Sequence, residues 1–181
     1  MTGWDLDFWS NHYTTLFIRE WCQQGHWVDL GCGPSQADWY VVTNNSAVNI
    51  LGVDFSPVAL EQARTLSPVE GLEWLCADFR QPLPLDASTF DGCICSHTLE
   101  HVEDTEALFS EITRIVKPGG RLIVIVPHLY SHDSETHCWH FSQDQLSEVL
   151  VEYGVIEHLE ITPDNDQIGA IVRLPDENDD N

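Results

Sequence analysis

Apolar positions along this chain fall into short runs separated by stretches of helical period, so strands should alternate with helices. The runs are 26–30 (HWVDL), 48–53 (VNILGV), 72–76 (LEWLC), 90–95 (FDGCIC) and 121–126 (RLIVIV). Between them, 8–24 reads as a helix carrying Trp9, Leu16 and Phe17, and 36–43 as a second helix. Ser56 followed by Pro57 is a helix-start signal, a capping side chain before a residue with preset φ. In 105–117, Leu108, Ile112, Ile115 and Val116 share a face, and Pro118-Gly119-Gly120 should stop that helix. A further helix begins at Ser142, with Gln145 placed for a capping box and Phe141 with Leu146 at hydrophobic-staple spacing. Its apolar face is Leu146, Val149, Leu150 and Tyr153. Two last strands, 155–161 and 167–174, flank a short turn at Pro163-Asp164-Asn165-Asp166, which makes them antiparallel.

Five strands separated by helices imply right-handed parallel crossovers. The expectation is an α/β fold: a Rossmann-like, doubly wound, mostly parallel seven-stranded sheet with an antiparallel C-terminal pair. The chain has 181 residues, which suits one domain over 1–175 followed by a disordered acidic tail, 176–181. Ligands of such sheets bind beyond the carboxyl ends of the strands. The loops after the five parallel strands are therefore where chemistry is expected.

Charge narrows the partners. One lysine, Lys117, and six arginines face 30 acidic residues, for a net charge of −23. Such a surface repels phosphate backbones and anionic lipid, so neither nucleic acid nor membrane is expected as a partner. The acidity serves either solubility or a cationic or neutral acceptor. No apolar run approaches the ~20 residues that span a bilayer. The N-terminal MTGWDLDFWSNHY lacks a basic segment and an apolar one, so a cytoplasmic protein is expected. The six cysteines, Cys22, Cys32, Cys76, Cys93, Cys95 and Cys138, are scattered and read as buried free thiols.

The loop after the first strand reads Asp29-Leu30-Gly31-Cys32-Gly33-Pro34-Ser35. Glycines there permit a tight turn and let a ligand lie against the backbone. The second strand ends in Asp54, 23 positions beyond Gly31, where a carboxylate can accept from both ribose hydroxyls. Capping the helix at Pro57 is the other role open to Asp54. A dinucleotide-binding dehydrogenase would place a third glycine where this chain has Ser35 and Gln36.

Taken together, VDLGCGPS, GVDFSP, Ala77-Asp78-Phe79, FDGCICSHTLEHVED and VKPGGRLIVIVP resemble the successive motifs of class I S-adenosylmethionine (SAM)-dependent methyltransferases, of the small type-11-like kind. The resemblance spans roughly residues 26–127 and implies SAM as cofactor. By that resemblance Gly31, Cys32 and Gly33 would line the methionine and ribose, and Asp29 would orient the methionine end. Asp54 would hold the ribose, with Phe55 against the adenine. Asp78 would accept from the adenine amino group, and Phe79 would add a backbone contact or stacking. Ser96 and His97 would close the pocket near the methionyl group, and His101 would serve packing and loop geometry. Arg19 is either the partner of the SAM carboxylate or a surface arginine.

After the fifth strand, residues 128–140 hold four histidines and one cysteine. This loop reads as an acceptor site, a metal site or a set of polar packing residues. Histidine suits proton removal near neutral pH. The spacing matches no structural zinc pattern, so no metal is expected. Pro127-His128, Thr136-His137 and Phe141-Ser142 resemble a subset of bacterial methyltransferases from polysaccharide and glycolipid pathways, which implies a sugar-like hydroxyl; Ser134-Glu135 departs from the Asp-Pro of that pattern. His128, His137 and His140 are the candidates for acceptor contact or general base. Trp4, Phe8, Trp9, His12 and Tyr13 form either an aromatic lid over the cofactor or a core-packing helix. The expected partner is a small-molecule acceptor, bound by a monomer or a homodimer. The alternative is a SAM-binding regulatory or scaffolding protein without turnover.

Overall fold

The computed structural model describes residues 6–66, 69–131 and 134–176. Trp4, His132, Asp133 and the tail from 177 onward lie outside the described residues. Two short helices, α1 (Leu6–Asn11) and α2 (Tyr13–Trp21), precede β1 (Gly25–Leu30), α3 (Gln36–Asn44), β2 (Val48–Asp54), α4 (Pro57–Leu66) and β3 (Leu72–Cys76). Then come β4 (Phe90–Ser96), a single 3₁₀ turn (Leu99–His101), α5 (Thr105–Ile115), β5 (Val116–Pro127), α6 (Gln143–Leu150), β6 (Val155–Ile161) and β7 (Gln167–Arg173).

The strands form one seven-stranded sheet in the order β3-β2-β1-β4-β5-β7-β6. β3, β2, β1, β4 and β5 run parallel, and β7 pairs antiparallel with both β5 and β6. The chain thus winds outward from β1 in one direction and from β4 in the other. Their adjacent carboxyl ends form the switch point where a ligand crevice opens.

Alternation along the strands divides the interior into two cores. Leu122, Val124 and Val126 of β5 face α5 and α6, joining Leu108, Phe109, Ile112, Leu146 and Leu150. Ile123 and Ile125 face the other way, joining Phe17, Ile18, Val41 and Val42 of α2 and α3. Cys93 and Cys95 share the first core, and all six cysteines are free thiols. Cys76 and Cys138 are exposed, so burial does not hold for every thiol.

Local structure departs from the sequence pattern in three places. The N-terminal helix breaks at His12, whose backbone is extended (φ −69°, ψ 136°). Leu16 lies on the exposed face of α2 rather than in the core. α5 ends at Ile115, and Pro118, Gly119 and Gly120 fall inside β5 rather than in a stop between helix and strand. The reason is a register shift between Phe90 and Gly92 of β4, which lets Val116 pair with Phe90 before the main ladder starts at Arg121. A Cβ at Gly120 would meet the Asp91 carbonyl at 2.9 Å, so only glycine fits there. The start of α6 is as the sequence implies: Ser142 and Gln145 form a reciprocal capping box, and Phe141 and Leu146 are buried. Among the described residues no helix is long and apolar enough to cross a membrane.

Candidate functional site

The crevice is built on the turn after β1. Gly31 (φ 83°) and Gly33 (φ 52°) hold left-handed conformations that favour glycine. A Cβ at Gly31 would strike the Thr98 hydroxyl, which itself donates to the Leu30 carbonyl at 2.9 Å. A Cβ at Gly33 would meet nothing within 4 Å, because that side of the turn opens outward. Ser35, where a third glycine might stand, also adopts a left-handed backbone (φ 55°, ψ 37°). Its hydroxyl accepts from the Trp74 indole N–H at 3.1 Å, a tie that helps hold the strained residue in place.

Asp54 braces this turn from β2. Its Oδ2 accepts from the Gly33 amide at 2.9 Å and its Oδ1 from the Ser56 amide at 2.8 Å. The helix cap proper is Ser56, whose hydroxyl accepts from the Ala59 amide at 3.2 Å. Each Asp54 oxygen keeps a second lone pair for a ligand hydroxyl.

Beneath the turn lies a small cavity of about 150 Å³, lined by Trp9, His12, Asp29, Gly31, Asp38 and His97 among others. Asp29 and Asp38 are both buried there, at 6% and 1% exposure. Asp29 Oδ1 and both Asp38 oxygens have no hydrogen-bond donor. Burial, with the two carboxyls against each other, pushes Asp29 well above the usual carboxylate range, and burial raises Asp38 to about 6. An orphaned buried carboxylate pair is costly unless a cation comes to it. An amino-acid ammonium fits that need, and the cavity is smaller than the ~300 Å³ of a whole-ligand pocket. The rest of such a ligand would extend past Gly33 toward Asp54. Asp38 has no distinguishing signal in the sequence, because an acid in the first turn of a helix is common there for dipole reasons alone.

Farther out, Phe55 is 62% exposed at the end of β2. Asp78 is held by the fork of Arg80, through Nε to Oδ1 at 2.8 Å and a terminal nitrogen to Oδ2 at 2.9 Å. That pairing keeps the Asp78 carboxyl below its ordinary range. The Arg80 guanidinium also lies 5.7 Å from the centre of the Phe55 ring. Arg80 therefore links the two side chains expected at the adenine, a role with no signature in the motif. The Phe79 ring is buried in the core, which favours a backbone contact over stacking.

Ser96 and His97 both line the cavity from the end of β4. His97 is left-handed (φ 53°), with Nε2 3.2 Å from Gln167 Oε1 and Nδ1 3.6 Å from Glu100 Oε1. Arg19 sits on the exposed face of α2, one residue past Ile18, which does line the cavity, and is not itself among the lining residues. The N-terminal aromatics divide: Trp9 and His12 line the cavity, with Phe8 edge-on to Trp9 at 5.3 Å, whereas Tyr13 packs on β7 and donates to Glu160 at 3.1 Å.

The three histidines expected at the acceptor are not gathered at one point. His128 is buried at the end of β5, its Nδ1 3.3 Å from the Asn165 carbonyl in the β6–β7 turn. His137 stands against His101, with ring centres 4.8 Å apart. His140 packs on Tyr130 at 4.5 Å. A hollow of about 920 Å³ lies at the opposite end of the sheet, between Gly25, Asp91 and Arg121, away from the strand carboxyl ends of the parallel set.

The model of the methyltransferase domain family matches residues 28–124, more than half of the chain. The chain belongs to this family. S-adenosylmethionine is the cofactor of this methyltransferase domain, and the orphaned Asp29–Asp38 pair and the open side of Gly33 fit it. Trans-aconitate 2-methyltransferase of Azoarcus sp. (strain BH72) is 33% identical over 107 residues, 59% of this chain and 41% of its own. An O-methyltransferase of Pyrenophora dematioidea is 31% identical over 154 residues, 75% of this chain and 57% of its own. The chain thus spans about half the length of the curated relatives it matches. In fold, an S-adenosylmethionine-dependent methyltransferase from Mesorhizobium loti aligns with a TM-score of 0.71 at 22% identity, covering 84% of this chain and 92% of that one.

Proposed function

We propose that this chain is a SAM-dependent methyltransferase that methylates the hydroxyl of a small, uncharged or cationic acceptor, a sugar-like one being the first class to test. The observation that carries the reading is the buried Asp29–Asp38 pair, with Asp29 Oδ1 and both Asp38 oxygens unpartnered, under a glycine turn braced by Asp54. When bound, SAM supplies a sulfonium methyl already activated by positive charge.

The residues of the chain then have to bind and align. Asp29 and Asp38 hold the ammonium, Asp54 the ribose hydroxyls, and Phe55 with Asp78 the adenine. Trp9 and His12 cover the methionine end and exclude water. Alignment of nucleophile and methyl accounts for most of what such a reaction needs. A hydroxyl acceptor must also lose its proton, and an imidazole of the loop after β5 takes it. Among His128, His137 and His140, His128 is favoured. Its Nδ1–H can donate to the Asn165 carbonyl, which fixes the tautomer with a basic Nε2. An oxygen acceptor agrees with the O-methyltransferase among the relatives. The net charge of −23 disfavours anionic acceptors.

Calorimetric titration with SAM, with NAD as control, tests the cofactor half of this reading. Micromolar SAM binding without NAD binding is expected. A methyl-transfer screen over sugars and other small hydroxylic acceptors tests the rest. SAM binding with no turnover on any acceptor would move the chain to the non-catalytic reading.

A further inference from the structure

Glu100, His101 and His137 each offer a ligand atom, and these atoms lie within 4.8 Å of one another. We infer that they form a binding site for a divalent first-row transition ion of the zinc class, which fastens the loop after β5 to the 3₁₀ turn after β4. The inference does not rest on the methyltransferase reading, since it concerns a different set of side chains.

Glu100 is the telling member. It is 1% exposed, and its Oε2 has no hydrogen-bond partner. Its other oxygen faces His97 Nδ1 at 3.6 Å, too long for a strong hydrogen bond. A buried carboxylate with an idle oxygen needs a cation or a donor to justify its burial. Two imidazoles stand beside it. His101 Nδ1 lies 3.1 Å from the Thr136 carbonyl. A ring that donates Nδ1–H to a carbonyl presents Nε2 as its lone-pair nitrogen, the arrangement that usually orients a metal-binding histidine.

The backbone around the cluster is already prepared. The Cys138 and Trp139 amides both donate to the Glu100 carbonyl, at 2.7 and 3.2 Å, and the Trp139 indole donates to the Val102 carbonyl at 2.8 Å. These bonds hold His137 over the turn that carries Glu100 and His101. Ligand atoms around a tetrahedral zinc are roughly 3.4 Å apart. The half-buried His137 and exposed His101 need only small rotamer shifts to reach that spacing. Two imidazoles and one carboxylate suit zinc and its neighbours better than magnesium or calcium, and leave a fourth position for water or an acceptor oxygen. Coordination uses the His137 lone pair, which leaves His128 and His140 as the remaining candidate bases.

The test is calorimetric titration of the full, chelator-treated chain with Zn²⁺, without SAM, with Co²⁺ absorption as a second readout. One Zn²⁺ per chain is expected. His137→Ala, on a surface loop, should weaken binding by about 100-fold, at or beyond what loss of an outer-shell partner costs. Glu100→Gln and His101→Ala should do the same, with circular dichroism to check folding. His26→Ala, at the far end of β1, and Cys76→Ser/Cys138→Ser should bind as the parent does. No Zn²⁺ binding, binding untouched by His137→Ala, or binding lost with the two thiols would overturn the inference.

Discussion

The Gly33 amide donates to Asp54 Oδ2 at 2.9 Å, joining the glycine turn after β1 to the end of β2 across 21 residues. One carboxylate therefore shapes the turn, and in the proposed reading its remaining lone pairs would receive the ribose hydroxyls. Asp54→Ala should weaken SAM binding by roughly 10- to 100-fold, the range expected for losing hydrogen bonds to a charged group. Calorimetry measures it, and unchanged affinity would remove Asp54 from the site.

The Asp29–Asp38 pair should make stability and cofactor affinity depend on pH in opposite directions. Both carboxyls are raised by burial in the folded chain, Asp38 from 3.8 to about 6. A raised acid favours folding while it is protonated in both states, below about pH 4, and that contribution is lost as pH rises through about 6. Asp38→Asn should remove this loss. Relative to the parent, the variant should gain on the order of 3 kcal/mol between those limits, from the size of the shift. Urea unfolding at several pH values checks it; parallel curves for the two proteins would refute it.

If SAM brings its ammonium to this same pair, as proposed, its binding should drive a proton out near pH 6 and tighten as pH rises. Titrations in two buffers of different ionisation heat would expose that proton. Equal heats in both buffers would mean that the pair does not meet the ammonium.

His128→Gln should lower turnover by about 100-fold, the low end of what a general base contributes, with SAM affinity little changed. Single-turnover methyl transfer and calorimetry separate the two. Equal losses in both would make His128 a packing residue.

Arg19 lies on the exposed face of α2, so Arg19→Ala should leave SAM affinity within about two-fold and stability within ±0.5 kcal/mol. Ser142→Ala, by contrast, breaks a complete capping box and should cost about 1 kcal/mol in thermal or denaturant unfolding.

Much of this was legible along the chain. Alternating apolar runs, the Ser56 and Ser142 starts, and the Gly31–Gly33 turn followed by Asp54 are local signals, because strand, cap and turn chemistry depends on near neighbours. Where the pattern misled, the deciding contacts were distant. Gly119 and Gly120 read as a stop until the β4 register drew them into β5. Phe79 packs into the core, and Arg19 lies on the exposed side of its helix.

The sequence alone settled the doubly wound plan and the place of the glycine turn after β1, since both follow from periodicity and from glycines at short fixed spacings. Tertiary structure decided which charges meet. Asp38 finds Asp29, Arg80 spans Asp78 and Phe55, and His101 contacts Thr136, 35 residues away, beside His137. Those meetings depend on how loops from separate strand ends fold over one crevice. A carboxylate or imidazole takes its character from the groups that crowd it there, and no spacing along the chain records them.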